Sequence, residues 1–302
     1  MNRRLLLYAA ALMTPLLIGS SGAQAADKIK VAASFSVLGD MVARIGGDRV
    51  EVATFVGPNG DAHVYEPTPG DAKKLLDASV LVVNGLGLEG WMSRLEKSSG
   101  FKGKVVTATT GIKTRQMEEE EKGKTRKTTD PHAWQSLANG KVYVQNIRDG
   151  LMAADPAGKE TYETNAKKYL ADIDDLDKEV RASIAKLPPA RRKIITTHDA
   201  FGYFGATYGM AFIAPEGVST ESEASAKDVA KIIRQIKAEK IPAVFLENVT
   251  DHRLLDQIAR ETGAKLGGTL YSDALSDAKG PAATYLDMFR HNIATLTQAL
   301  SS

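Results

Sequence analysis

Short apolar runs alternate with stretches of three- and four-residue periodicity over two separate regions of the chain. In the first, Lys28–Ala33 has the hydrophobic, β-branched character of a buried strand, and Val37–Ile45 has the spacing of an amphipathic helix. Further strands are expected at Val50–Val56, Ser79–Asn84 and Lys104–Ala108. The second region repeats the plan, with strands expected at Lys193–Thr197, Ala211–Ile213, Ala243–Glu247 and Lys265–Thr269. Strands that alternate with helices predict parallel-sheet α/β domains. Ser225-Ala226-Lys227-Asp228 has the form of a helix start and opens a helix that reaches Glu239.

Between the two regions, Pro156 to Lys186 contains no glycine or proline after Gly158. Tyr162, Ala166, Tyr169, Ile173, Leu176, Val180 and Ile184 recur there at helical steps. The pattern predicts one amphipathic helix of roughly 40 Å or more at 1.5 Å per residue. Leu187-Pro188-Pro189 ends it, because proline excludes helical geometry before it. A flexible linker would instead be rich in glycine and serine. The expected fold is therefore α/β, with two parallel-sheet lobes joined by a long rigid helix: residues 26–155, 156–187 and 188–302.

The first 25 residues stand outside this plan. Arg3 and Arg4 precede an apolar stretch from Leu5 to Ile18, and Ala23-Gln24-Ala25 forms a small-residue cleavage site. The apolar stretch is too short to span about 30 Å of hydrocarbon comfortably, so it reads as a cleaved export signal. The formal charge of the whole chain is +2, and removing the two arginines of the leader brings it to zero. A neutral chain gives no electrostatic case for nucleic acid. The chain has no cysteine, which excludes disulfides, thiolate ligands and a lipoprotein acyl anchor. A periplasmic monomer, free in solution, is the expectation.

Four residues carry the candidate chemistry. His63 lies in Gly60-Asp61-Ala62-His63-Val64-Tyr65-Glu66-Pro67-Thr68-Pro69-Gly70-Asp71, ahead of a capped, proline-led helix start. His132 lies in Asp130-Pro131-His132-Ala133-Trp134, where Pro131 restrains the turn and Asp130 is placed to accept a ring proton. His198 follows the apolar run Lys193–Thr197, at the carboxyl end of a strand, where open α/β sheets bind ligands. Asp273 follows the strand ending at Thr269, and its weight comes from the anionic complement it offers to three imidazoles. The intervals of 69, 66 and 75 residues draw each group from a different junction. Three imidazoles and one carboxylate form a closed, four-coordinate set for a borderline cation such as Zn²⁺. A closed set suits capture and carriage better than catalysis.

These motifs, with Asn84-Gly85-Leu86-Gly87-Leu88-Glu89, TTHDAFGYF and the segment Tyr285–Asn292, resemble those of the metal-binding receptors of ABC transporters for zinc and manganese. The resemblance covers essentially the whole exported chain and implies two α/β lobes with metal held in the cleft between them. It maps the family's four ligand positions onto His63, His132, His198 and Asp273, two from each lobe. It also implies delivery to an inner-membrane ABC permease. Manganese-importing relatives commonly carry glutamate at the third position, and His198 there shifts the expectation towards zinc. Many zinc receptors of the family carry a histidine-rich loop, which is missing here, so manganese or iron stays as the alternative.

Other features read as structural. Gly85-Leu86-Gly87-Leu88-Glu89-Gly90 fits a dinucleotide pattern but follows the third strand, and reads as a tight strand-to-helix turn. Glu118–Lys127 is a charged run expected to be a solvated loop. His252, His291, Glu221 and Glu223 read as structural or solvated, and Glu247, at a strand end, as a possible supporter of the site. Trp134 and the Phe201, Tyr203, Phe204, Tyr208 series read mainly as core. A secreted zinc hydrolase would need an open coordination position and a nearby base, and no H-E-x-x-H motif is present. A surface adhesin, the third reading, lacks the cysteine for a lipid anchor.

Overall fold

A computed structural model describes residues 27–121, 124–215, 217, 220 and 224–301. The proposed leader, and Glu221 and Glu223, lie outside the described residues. The chain opens with β1 (Ile29–Phe35), α1 (Ser36–Gly46), β2 (Val50–Val56), α2 (Pro69–Leu76), β3 (Val80–Val83), α3 (Met92–Ser99) and β4 (Lys104–Thr107). A hairpin of β5 (Gln116–Glu121) and β6 (Lys124–Thr129) follows, then α4 (Leu137–Ala154) and α5 (Lys159–Ala185). The second half runs β7 (Lys193–Ile195), α6 (Gly202–Tyr208), β8 (Ala211–Ile213), α7 (Ala226–Glu239), β9 (Ala243–Glu247), α8 (Arg253–Thr262), β10 (Lys265–Leu270) and α9 (Tyr285–Leu300).

Two four-stranded parallel sheets result, ordered β2-β1-β3-β4 and β10-β9-β7-β8. Both carry the alternation expected of α/β lobes; the loops after β2, β7 and β10 hold His63, His198 and Asp273, whereas His132 follows β6 of the hairpin. The strand β1 is buried from Val31 to Phe35, as a central strand covered on both faces must be.

The helix α5 buries Tyr162, Ala166, Tyr169, Ile173, Leu176, Val180 and Ile184, the seven positions of its apolar stripe. It packs along α1, α4 and α9, so it forms a spine for the main core as well as a connection. Pro188 and Pro189 follow its end, as the sequence requires. The terminal helix α9 buries Leu286, Phe289, Ile293, Leu296 and Leu300. Among the described residues, no helix is long and apolar enough to cross a membrane.

Two elements depart from expectation. The charged run is a β-hairpin, not a loop: Glu118 stands opposite Lys127 and Glu119 opposite Arg126 in an antiparallel register. Backbone pairing in this register overrides the low strand propensity of glutamate and lysine. The 18-residue helix α4 was not anticipated. Its sequence mixes Gly140 and Gly150 into the pattern, and both glycines admit close neighbours: a Cβ at Gly150 would lie 2.3 Å from Val106.

Candidate metal centre

His63 lies on the loop between β2 and α2. That loop is anchored at its far end by a capping box, in which Thr68 Oγ1 accepts the Asp71 N–H and Asp71 accepts the Thr68 N–H. Closer in, the His63 N–H donates to Asp61 Oδ1 at 2.8 Å, and the other carboxylate oxygen accepts the Thr220 hydroxyl from the second half of the chain. His63 is 8% exposed, and is the most accessible of the four candidates.

His132 begins a short turn ahead of α4. Asp130 Oδ1 accepts both the His132 N–H and its Nδ1–H, each at 2.9 Å. This fixes the ring so that Nε2 points at the other candidates. The site also depends on a close approach at Gly202, where a Cβ would lie 2.7 Å from Asp130 Oδ2. Behind Asp130, Arg115 Nε stands 3.7 Å from Oδ2.

His198 follows β7, and Glu247 at the end of neighbouring β9 lies directly against it. Asp273 follows β10. Although Asp273 belongs to the second half of the sequence, its loop is gripped from the first. Trp134 Nε1 and Gln135 Nε2 both donate to Ser272 O, Ser36 Oγ accepts the Leu275 N–H, and the Asn59 N–H donates to Leu275 O. Trp134 is thus both core and clamp. Nothing in the sequence pattern around Gln135 or Ser36 marked them for this role, because it exists only across the interface of the two halves.

The four functional groups converge. His63 Nε2 is 3.2 Å from His132 Nε2 and 3.2 Å from Asp273 Oδ2; His198 Nε2 is 3.1 Å from Asp273 Oδ2, and His132 Nε2 is 3.6 Å from Asp273 Oδ1. One donor atom from each of the four lies within 4.8 Å of all the others. Bonds of about 2.0–2.1 Å to a tetrahedral Zn²⁺ put donor atoms about 3.3 Å apart. The His63–His132, His63–Asp273 and His198–Asp273 separations are close to that edge length, and the widest separation in the set reaches no more than 4.8 Å. Asp273 Oδ1 is buried without a hydrogen-bond partner among the described residues, so both carboxylate oxygens face the imidazoles and a fifth donor is on hand.

Buried carboxylates set the electrostatics of the cluster. Burial opposes charge on His132, but the Asp273 and Asp130 carboxylates outweigh it and raise the imidazole to about 9. His198 is likewise raised well above its ordinary value, against burial, by Glu247 and Asp273. Burial pushes Asp273 up, but His198 and His132 together hold it well below the usual carboxylate range.

The remaining sequence candidates resolve simply. His252 Nε2 lies 3.2 Å from Glu247 O and His291 Nε2 lies 3.0 Å from Thr269 O, both away from the cluster. The glycine-rich turn after β3 has positive φ at Gly85, Leu86 and Gly87, and it wraps its own carboxylate: Glu89 accepts from the Asn84 and Gly85 N–H groups and from Ser34. The position a phosphate would take in a dinucleotide loop is therefore filled. Asn84 in turn donates to Pro131 O at 3.0 Å, so the turn supports the His132 loop. A cavity of about 370 Å³ lined by Arg115, Asp199, Phe201 and Gly202 adjoins Asp130, but none of the four candidate groups lines it.

A pair of α/β lobes with a buried cluster of three imidazoles and a carboxylate between them defines a metal-capturing binding protein. Residues 31–299 match the family described as zinc-uptake complex component A, periplasmic. The chain belongs to that family, the substrate-binding receptors of metal ABC transporters, which are not enzymes. It is 33% identical over 275 residues to the manganese-binding lipoprotein MntA of Halalkalibacterium halodurans, covering 91% of this chain and 89% of that protein. It is 32% identical over 292 residues to the iron-binding protein YfeA of Yersinia pestis, covering 96% and 92%. The solved structure of the periplasmic zinc-binding protein TroA from Treponema pallidum superposes with a TM-score of 0.84 at 32% identity, covering 90% of this chain and 99% of that one.

Proposed function

We propose that this protein is a zinc receptor that holds Zn²⁺ through His63, His132, His198 and Asp273 and delivers it to an inner-membrane ABC permease. The observation that carries this reading is the convergence of three Nε2 atoms and one carboxylate at separations that suit a small borderline cation. A donor set of three nitrogens to one carboxylate favours zinc over manganese, because imidazole suits zinc and oxygen ligands suit manganese. The protein acts as a monomer in the periplasm, with lobes at residues 26–155 and 188–302 and the helix 156–187 between them. The complete burial of His132, His198 and Asp273 fits carriage better than turnover.

Capture exchanges protons for metal. In the metal-free site the raised imidazoles carry protons that balance Asp273, and a cation takes over that role as the protons leave. The second carboxylate oxygen of Asp273 supports a competing reading, since a five-donor site also accommodates manganese or iron, the metals named for two of the relatives. Native mass spectrometry of protein purified from its own host separates the two. Zinc as the dominant bound ion is expected; manganese or iron in its place would overturn the zinc assignment and leave the receptor reading intact. Equilibrium dialysis tests the ligand set, and an Asp273→Ala or His198→Ala chain that kept stoichiometric metal would sink it.

A further inference from the structure

Tyr203 lies on α6, five residues after His198, and reads from the sequence as core. It is 5% exposed, but its hydroxyl has a partner on each side. The hairpin pairs Gln116 with Thr129, and continuing that register places Arg115 opposite Asp130 at its root. A hydrogen-bonded antiparallel pair exchanges two N–H···O bonds. Here one is made directly, with the Asp130 N–H donating to Arg115 O at 3.1 Å. In place of the other stands the Tyr203 hydroxyl, which accepts the Arg115 N–H at 3.0 Å and donates to Asp130 O at 3.2 Å. The ring is held there as well, since the Arg115 guanidinium carbon lies 5.6 Å from its centroid. A side chain from the second half of the chain thus replaces one ladder bond of the first.

We infer that Tyr203 is a positioning residue for metal binding, whose hydroxyl registers the turn presenting His132 on the helix that follows His198. The inference rests on the reading of His132 and His198 as ligands. The path is short: Tyr203 holds the carbonyl of Asp130, and Asp130 Oδ1 accepts the His132 N–H at 2.9 Å. The His132 and His198 rings come from opposite halves and lie 5.3 Å apart, so a slip between α6 and this turn passes straight into their separation. Metal–ligand distances tolerate only about 0.2 Å. Gly202 makes the contact possible, because a Cβ there would meet Asp130 Oδ2 and the Arg115 guanidinium carbon, the latter at 2.9 Å. A phenyl ring cannot bridge a donor and an acceptor. Without the hydroxyl, the Arg115 N–H and Asp130 O must part or close directly on each other, and Asp130 moves in both cases. Tyr208, on the same helix, gives its hydroxyl to Asp177 Oδ1 of α5 instead.

Tyr203→Phe tests this, because it removes the bridging hydroxyl and keeps the ring beside Arg115. Tyr208→Phe is the control, since it takes one hydroxyl from the same helix without touching the hairpin root. Three readouts apply to both variants and to wild type: zinc affinity by chelator competition, urea stability without metal, and the d–d absorption of bound Co²⁺. Tyr203→Phe should weaken zinc about three- to tenfold, the scale of one net hydrogen bond, and should shift the cobalt bands. Tyr208→Phe should leave zinc affinity and the cobalt bands as in wild type, whatever stability it loses. Affinity that follows urea stability equally in both variants would mark a merely structural hydroxyl and overturn the inference. Unchanged zinc affinity in Tyr203→Phe overturns it as well. Wild-type protein that takes up no zinc removes the ligand reading on which the inference rests, which is a different failure from a wild type that binds and a Tyr203→Phe chain that binds equally well.

Discussion

The two sheets share a strand plan but are built to different standards. In the first, β1 and β2 pair through six registered positions and feed a continuous core that includes α1, α4 and α5. In the second, β7 and β8 have three residues each, β7 meets β9 at one registered pair, and β10 shifts register between Leu266 and Thr269. One face of the second sheet joins the main core through Ile194, Ala243 and Phe245. The other, with α7 and α8, closes a separate small core of Ile195, Ile232, Ile236, Ile241, Val244, Leu255, Ile258 and Ala259. Local stability follows the buried apolar contacts a segment makes, so α7 and α8 should open more readily than α1 and α5.

The candidate ligands divide unevenly across this difference. His63 and His132 stand on the first half, and the loop of Asp273 is hydrogen-bonded to Trp134, Gln135, Ser36 and Asn59 of that half. His198 alone depends on the short strands of the second sheet and on Glu247. A two-and-two division by chain position becomes three-and-one by mechanical attachment.

The largest effect should come from breaking the three-ligand side. Asp273→Ala removes the single anion facing three imidazoles, and metal affinity in dialysis should fall by more than about a hundredfold, since loss of a supporting partner alone costs about 10–100-fold. Next come the cores. Leu38→Ala, in the main core, should lower global stability in urea by about 2–5 kcal/mol. Ile236→Ala, in the small core, should chiefly speed hydrogen exchange in α7 and α8 and leave α1 and α5 protected. Equal acceleration in both halves would erase the distinction drawn between them.

Proton linkage sharpens the comparison at the site. His132 is raised above its unfolded value, so its contribution to metal-free stability is full below about pH 6.5 and is lost as pH rises through about 9. With the proposed ligand set, metal binding expels that proton at neutral pH, and the cost of expulsion vanishes as pH rises. The melting-temperature gain on adding zinc should therefore grow from pH 6 to pH 9, read by scanning calorimetry at fixed free zinc. A gain that is flat with pH would mean His132 is not displaced. The smallest effect concerns the helix starts: Thr68→Ala, at the start of α2, and Ser225→Ala, at the start of α7, should each cost about 1 kcal/mol. The first should also loosen the His63 loop and weaken metal binding, while the second should not.

Much of this was legible in the chain because it is periodic or local. The seven apolar positions of α5 were readable from three- and four-residue steps, and the start of α7 at Ser225 from its side-chain type. His132 and Asp130 were readable as a pair because only Pro131 separates them. The pairing of β5 with β6 was hidden because glutamate and lysine have low strand propensity, so the run by itself reads as solvated loop. The glycine-rich turn offered a dinucleotide pattern, and only folding revealed that Glu89 fills it.

Sequence alone therefore determined the alternation of strands and helices, the length and buried stripe of the central helix, and the choice of four candidate ligands, because these depend on residue type and local motif. Tertiary structure decided that the four candidate ligands meet within 4.8 Å, that the loop of Asp273 belongs mechanically to the first half, and that Glu247 stands behind His198. Those facts arise from parallel strands aligning residues tens of positions apart, and the periodicity of the chain carries no record of which strand becomes whose neighbour.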